Sequence, residues 1–92
     1  MDHDPLSAVD MVVLEQWRPE RNRARFYVMR VEAGLFGDSQ LLRHWGRIGA
    51  RGRERRSHYP TREAAAAALD LWLRRKLKRG YALVRAAGTR QE

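Results

Sequence analysis

The chain has 92 residues, of which 43% are hydrophobic and 33% are charged, and this length supports one domain with a single modest core. It contains no cysteine, which excludes disulfides, thiolate metal sites and cysteine nucleophiles and fits a reducing cytoplasm. Its formal net charge of +8 suits a polyanionic partner, of which nucleic acid is the commonest, and suits equally a solvated basic surface without such a partner.

Both ends of the chain are predicted to be flexible. Residues 1–10 are rich in aspartate and contain Pro5, which predicts a leader outside the fold rather than a secretory signal. Residues 85–92 are predicted to form a loose tail. The longest apolar run, residues 64–69, is too short to span a bilayer. We therefore expect a monomeric protein of the cytoplasm that makes no membrane contact, with association with the nucleoid as an open alternative.

The segment between these ends, residues 11–84, is predicted to be the folded domain. Alternating apolar residues predict four strands, at residues 11–17, 24–32, 41–48 and Arg53–Tyr59. A polar turn that contains Pro19 separates the first two strands. Gly49 and Gly52 predict a tight hairpin before the fourth strand, because glycine supplies positive φ. Gly46, inside the third strand, marks a place where another group is expected to approach closely.

One long helix is predicted after the strands. Thr61 is the expected N-cap, Glu63 in the first turn suits the helix dipole, and Gly80 is the expected C′ residue. Helical spacing places a stripe on one side of this helix, at Ala65, Ala68, Leu69, Trp72, Leu73 and, in the last turn, Lys76 or Leu77. Residues 81–84 are expected to return and cover the core. The predicted fold class is therefore α+β, a small four-stranded antiparallel sheet packed against one long C-terminal helix.

The third strand carries the leading candidates for a binding site. Because side chains alternate along a strand, one face is shared by Leu41, Arg43, Trp45 and Arg47. Leu42 and Ile48 share the other face, which we expect to point to the core. An exposed indole between two guanidinium groups can stack on a base while the arginines contact phosphates. The alternative is that Trp45 packs in the core and the arginines extend past it, and the pattern alone favours neither.

Arginines are concentrated around the predicted hairpin, where residues 43–56 contain a single acidic residue. The six arginines of this segment are Arg43, Arg47, Arg51, Arg53, Arg55 and Arg56. Arginine rather than lysine suits bidentate phosphate recognition, so these six and Trp45 are the predicted nucleic-acid-binding residues. Residues 1–42 hold five arginines against seven acidic residues, whereas residues 43–92 hold fourteen basic residues against four acidic ones. The sequence therefore assigns the basic surface to the second half of the chain.

Patterns of catalysis or metal binding are missing from the sequence. His44 and His58 lie on strands that the hairpin joins, but the sequence supplies no clear third ligand for a metal. No nucleophile and base occur at a recognisable spacing, and the glycines do not precede a helix as in a phosphate-binding loop. We therefore predict no enzyme, no catalytic residue, no metal site and no cofactor.

The segment H-W-G-R-I-G-A-R-G-R-E, residues 44–54, resembles the signature of WGR domains. The tripeptide that gives these domains their name is Trp45, Gly46 and Arg47, and an apolar–glycine pair follows it. An F-Y-V-M-R-V strand before this segment and a helix that ends in K-R-G-Y after it also match. The resemblance extends over roughly residues 11–84 and identifies the chain as a member of this family.

The resemblance implies a binding role. In DNA-dependent poly(ADP-ribose) polymerases, WGR domains lie against the DNA end at a strand break, the motif tryptophan stacks near the terminal nucleotide, and the motif arginine joins contacts to neighbouring domains. It implies that Trp45 stacks and that Arg47 makes a polar contact. The arginine-rich and alanine-rich composition suits a stand-alone bacterial protein of this family. We therefore expect DNA as the partner, at duplex ends, nicks or breaks, with an acidic protein or RNA as alternatives.

Overall fold

A computed structural model describes residues 9–88, which form one antiparallel five-stranded sheet with a helix against one of its faces. The strands are β1 Val9–Arg18, β2 Arg23–Ala33, β3 Ser39–Arg47, β4 Arg53–Tyr59 and β5 Ala82–Gly88, and the helix is α1 Arg62–Lys78. A short 3₁₀ turn, Pro19–Arg21, connects β1 to β2. The strand order across the sheet is β4-β3-β2-β1-β5, so β4 and β5 form the two edges.

The structure confirms the predicted α+β class, each of the four predicted strands and the long helix. The predicted total of four strands is wrong because the sheet has five, and the helix is not C-terminal as predicted. The helix lies before a fifth strand, which pairs with β1 and includes residues 85–88 of the predicted tail. The alanines and glycine of β5 have low strand propensity, so their sequence gave no strand signal. Val9 and Asp10 of the predicted leader belong to β1. Residues 1–8 and 89–92 lie outside the described residues.

Both ends of α1 have the predicted caps. The side-chain oxygen of Thr61 accepts a hydrogen bond from the N–H of Ala64 at 3.0 Å. Gly80 has a φ of 96°, and the N–H groups of Gly80 and Tyr81 each donate to carbonyls of the last helical turn at 3.1 Å. This Schellman arrangement ends the helix and directs Tyr81 back to the sheet. Within residues 9–88, no helix is long and apolar enough to cross a membrane.

The core lies between α1 and one face of the sheet. The buried apolar residues are Val12, Leu14, Tyr27, Met29, Val31, Leu41, Ala65, Leu69 and Leu73. The three helical members are spaced four residues apart, so they lie on one side of α1 and confirm the predicted apolar stripe there. At the end of that stripe, Leu77 is exposed.

The face of β3 that we expected to point outward is the one that the helix covers. Leu41 is fully buried, and Trp45 lies directly opposite the buried Tyr27 on the same side of the sheet. Leu42 is half-buried on the other face, and Ile48 follows the end of the strand. The prediction that these two residues face the core was therefore wrong. Leucine occurs at both parities of L-L-R-H-W, so only the pairing with β2 decides which face is buried.

Both ends of the described chain lie together at one end of the sheet. Val9 is the register partner of Gly88 across β1 and β5. The connections between β1 and β2 and between β3 and β4 lie at the opposite end, because β1 and β3 both run toward it. The C-terminus of α1 also reaches this opposite end, where Gln16 donates to the carbonyl of Arg79 at 2.8 Å.

Candidate nucleic-acid interface

Trp45 lies where the core ends and the basic end of the sheet begins. Its indole is half-buried and packs against the core cluster. The ring of Tyr27 stacks on it, with centroids 5.8 Å apart and planes 21° apart. Tyr81, placed by the cap of α1, meets Tyr27 edge-on at 6.2 Å. Trp45 is thus fixed by aromatic contacts on one side and remains partly accessible.

An open depression of about 520 Å³ adjoins Trp45 at this end of the sheet. It is lined by Arg25, Trp45, Gly46, Arg47, Gly52, Arg53 and Tyr81. Strand pairing brings the three arginines together, because Arg25 lies opposite Arg47 and Arg53 lies opposite Trp45. None of the seven lining residues is acidic. The depression therefore combines aromatic rings with guanidinium groups, which is the chemistry that binds nucleotides.

Within residues 9–88, no acidic side chain pairs with the arginines of this depression. The side chains of Arg25 and Arg53 make no hydrogen bond or ion pair with any residue of the described range 9–88. Arg47 donates to the backbone carbonyl of Asn22 at 3.1 Å, which ties its side chain to the β1–β2 connection without removing its charge. A concave surface with unpaired cations attracts anions and favours phosphate contacts.

The two glycines of the depression hold the hairpin against β3. A Cβ added to Gly46 would lie 2.7 Å from the Cα of Gly52, so the backbone of the hairpin occupies the space that a side chain would need. This confirms the close approach expected at Gly46. On the opposite face, Nε2 of His44 donates a hydrogen bond of 2.8 Å to the carbonyl oxygen of Arg51. These contacts fix where the hairpin places Arg53.

Most of the predicted binding residues lie on one face, but two of them do not. Those on the helix side of the sheet are Arg43, Trp45, Arg47, Arg53 and Arg55. Arg56 lies on the opposite face, where its guanidinium contacts Glu32 at 2.9 Å and Gln40 at 3.0 Å. Arg51 is exposed in the hairpin turn and does not line the depression. Alternation along β4 thus separates arginines that are neighbours in sequence.

Sequence reasoning did not identify Arg25 and Tyr81 as parts of this site. Arg25 belongs to the first half of the chain, whose net charge is negative, yet the sheet brings it opposite Arg47. Arg25 and Tyr27 lie two residues apart in β2, so their side chains point to the same face of the sheet, and this spacing could have identified Arg25. Tyr81 had no such signal, because its position depends on where the helix ends. The basic surface therefore draws on both halves of the chain.

Arg43 has a structural role beside the depression. Its guanidinium carbon lies 4.1 Å from the ring centroid of Trp72 and 5.6 Å from that of Trp45. One of its nitrogens donates to the hydroxyl of Tyr27 at 3.1 Å. Cation–π contacts of this kind fix a guanidinium and the rings around it. Arg43 therefore positions Trp45 and links the site to the helix.

The pair of histidines noted in the sequence is not brought together. His44 lies opposite Glu54, and His58 lies opposite Gln40. Within residues 9–88, no group of three histidine, cysteine or carboxylate side chains is placed to hold a metal ion.

Lys76 lies above the aromatic residues of the site. Its ammonium nitrogen is 4.5 Å from the ring centroid of Tyr27 and 5.5 Å from that of Tyr81. Burial lowers the pKa of Lys76 below its ordinary value of 10.5, and the positive charges of Arg79, Arg43 and Arg25 lower it further. The charged lysine is therefore less favourable in the folded protein than in the unfolded chain.

We expect the Lys76→Met variant to be more stable than the wild type at neutral pH. The folded protein has the lower pKa, so the unfolded chain binds more protons between that pKa and 10.5, and wild-type stability rises with pH in this window. The advantage of the variant should therefore shrink as the pH approaches 10.5. Urea unfolding of both proteins at neutral and alkaline pH measures this difference, with Lys78→Met as the control for removing a charge from the helix end. A constant advantage across the window would contradict the expectation.

Comparison with known proteins identifies one family and one relative. The family model described as the WGR domain matches residues 11–88. The chain is also 51% identical over 69 residues to an uncharacterized protein, y4dW, of Sinorhizobium fredii (strain NBRC 101917 / NGR234). This match covers 74% of the chain but 33% of the relative, so the chain spans about a third of the length of that protein. No solved structure matches the chain.

Proposed function

The chain belongs to the WGR domain family, whose members are nucleic-acid-binding modules in poly(ADP-ribose) polymerases, and from this premise we propose that it binds DNA at ends, nicks or breaks. WGR domains are not themselves catalytic, and the proposal assigns no reaction to the chain. The proposed contacts are stacking on Trp45 and phosphate contacts from Arg25, Arg47 and Arg53.

The observation that carries this proposal is the unneutralised depression beside Trp45. Arg25 and Arg53 have no acidic partner within residues 9–88, whereas Arg56 on the opposite face is held by Glu32. A surface that only keeps a protein soluble needs no such concentration of unpaired cations in one concave place. Phosphate groups supply the missing counter-charges, and release of condensed counterions from the DNA then favours binding.

A preference for ends follows from the stacking geometry. An aromatic ring can stack only on a base whose face is free, and the bases inside a continuous duplex are covered by their neighbours. A duplex end offers a free face without the cost of unstacking, and a nick opens one more easily than a continuous duplex because one backbone strand is already broken. Trp45 lies at the end of the sheet beside the cationic depression, so a terminal nucleotide can reach both the ring and the arginines.

The test is fluorescence anisotropy with a duplex that has one open end against the same duplex closed by hairpins at both ends, at low and high salt. We expect tighter binding to the open end. Trp45→Ala should weaken this binding by about 1–3 kcal/mol, as the loss of one stacked base does. Arg53→Gln should weaken it and lower the salt slope by about one unit, because one phosphate contact is lost. The side chain of Arg53 makes no hydrogen bond or ion pair within residues 9–88, so its variant separates binding from folding.

Arg30→Gln is the matched control, since Arg30 is exposed on the opposite face of the sheet and its variant removes the same charge. Equal losses of DNA affinity in Arg30→Gln and Arg53→Gln would mean that the protein attracts DNA only through its overall positive charge. Equal binding of the open and closed duplexes would refute the preference for ends. A failure to bind either duplex would favour an acidic protein partner, and tighter binding of a matched RNA competitor would favour RNA.

A further inference from the structure

A second cationic depression adjoins Trp45 on the side of β4. It has a volume of about 400 Å³ and is lined by Arg43, Trp45, Arg53, Glu54 and Arg55. Trp45 and Arg53 also line the first depression, so the two depressions meet at these side chains. The carboxylate of Glu54 lies 3.8 Å from the guanidinium of Arg56, which partly neutralises it. The second depression is thus a continuation of the first and is also rich in arginine.

Trp45 forms part of the wall of both depressions. The ring of Tyr27 covers one face of the indole from the β2 side. Trp45 and Arg53, its register partner on β4, line both depressions, and the guanidinium carbon of Arg43 lies 5.6 Å from the centroid of the same indole. A base stacked on Trp45 therefore lies between the two depressions. In a nucleic-acid strand, every internal nucleotide has one phosphate on each side.

The pairing of β3 with β4 gives independent support for an anion in the second depression. Arg43 lies directly opposite Arg55, and like charges that face each other across two strands destabilise a sheet. The side chain of Arg43 is held in place by Trp72 and Tyr27, whereas that of Arg55 is exposed and makes no hydrogen bond or ion pair within residues 9–88. A phosphate between the two guanidinium groups would turn this repulsion into two charge-assisted contacts.

We propose that the second depression binds the phosphate on the far side of the nucleotide that stacks on Trp45. The site then holds two consecutive phosphates of one strand, the first near Arg25 and Arg47 and the second near Arg43 and Arg55. Where a strand continues past Trp45, the indole occupies the position on which the next base would stack. The continuation beyond Trp45 is therefore single-stranded. The preferred ligand is therefore a DNA end with a single-stranded extension rather than a blunt end. This inference rests on the proposed function.

The experiment compares three duplexes of matched phosphate number, each closed by a hairpin at its far end. One is blunt, and the others carry a short single-stranded extension at the 5′ or the 3′ side. We expect the wild-type protein to bind one of the extended duplexes about tenfold more tightly than the blunt one, the gain typical of one charge-assisted contact. In Arg55→Gln the ratio between these two affinities should fall to near one, while Arg30→Gln should keep the wild-type ratio.

The outcomes separate this inference from the proposed function. Equal affinity of the wild-type protein for blunt and extended ends, with preference for open over closed ends retained, overturns the inference alone. An extended-end advantage that persists in Arg55→Gln also overturns it, because the second phosphate would then bind elsewhere. If the open and closed duplexes bind equally, the proposed function itself has failed. Circular dichroism of each variant shows that its fold is intact, as we expect for a change at the exposed Arg55.

Discussion

Replacing Leu69 by alanine is expected to cost about 2–5 kcal/mol of the free energy of unfolding. Leu69 is 1% exposed and lies midway along the helical stripe, between Ala65 and Leu73, so truncation leaves a cavity between the helix and the sheet. A small domain has about 5–15 kcal/mol of total stability, so this single loss removes a large fraction of it. Urea denaturation followed by circular dichroism measures the change.

Leu71 gives the matched control for this substitution. It lies two residues further along the same helix and is 50% exposed, so Leu71→Ala makes the same chemical change without emptying a buried position. We expect an effect within about 0.5 kcal/mol, because surface substitutions rarely exceed this and alanine favours the helix. Similar losses at both positions would show that α1 does not pack on the sheet through the Leu69 face.

Gly52→Ala is expected to cost about 2–5 kcal/mol, from two separable causes. The φ of Gly52 is 79°, a left-handed conformation that costs a residue with a Cβ about 1–2 kcal/mol. The added Cβ would also lie 2.5 Å from the carbonyl oxygen of Trp45, and relief of such overpacking costs about 1–3 kcal/mol more. Because this backbone carries Trp45 and Arg53, DNA binding by the variant should fall as well.

Gly49→Ala separates the two causes. Gly49 has a similar φ of 94°, but a Cβ at this position meets nothing within 4 Å. Its variant should therefore show the conformational cost of about 1–2 kcal/mol alone. Thermal or urea unfolding of the two variants gives the difference. Equal destabilisation would mean that contact between the hairpin and β3 does not require glycine at position 52.

The sequence was a good guide to elements whose signals are local. The N-cap at Thr61 and the C′ glycine at Gly80 bounded the helix, and period-two patterns located β1 to β4. The sequence patterns did not predict features that depend on pairing with a strand distant in the chain. The side of β3 that faces the core depends on its pairing with β2, and leucine at both parities concealed it. The fifth strand forms by pairing with the edge of β1, and the short segment A-L-V-R-A-A-G has no alternating pattern that predicts this pairing.

For the site too, the sequence predicted local features and missed those that depend on residues distant in the chain. Concentration of arginine around the hairpin and the tryptophan motif located the region that the structure places beside the depression. Sequence proximity could not separate Arg55 from Arg56, which strand alternation sends to opposite faces. Nor could it add Arg25 from a segment of opposite net charge, or Tyr81, which the helix cap brings back. Composition thus indicated the kind of surface, and only pairing across the sheet determined its members.

Because Val9 pairs with Gly88, the domain begins and ends at neighbouring positions of the sheet and is suited to insertion into another protein. A host protein could receive it within a single surface loop, since both junctions would lie side by side and neither would cross the fold. The depression beside Trp45 lies at the far end of the same strands, so it would face away from the host. A protein immobilised or fused at either junction would therefore present its cationic end to solution, ready for a polyanion.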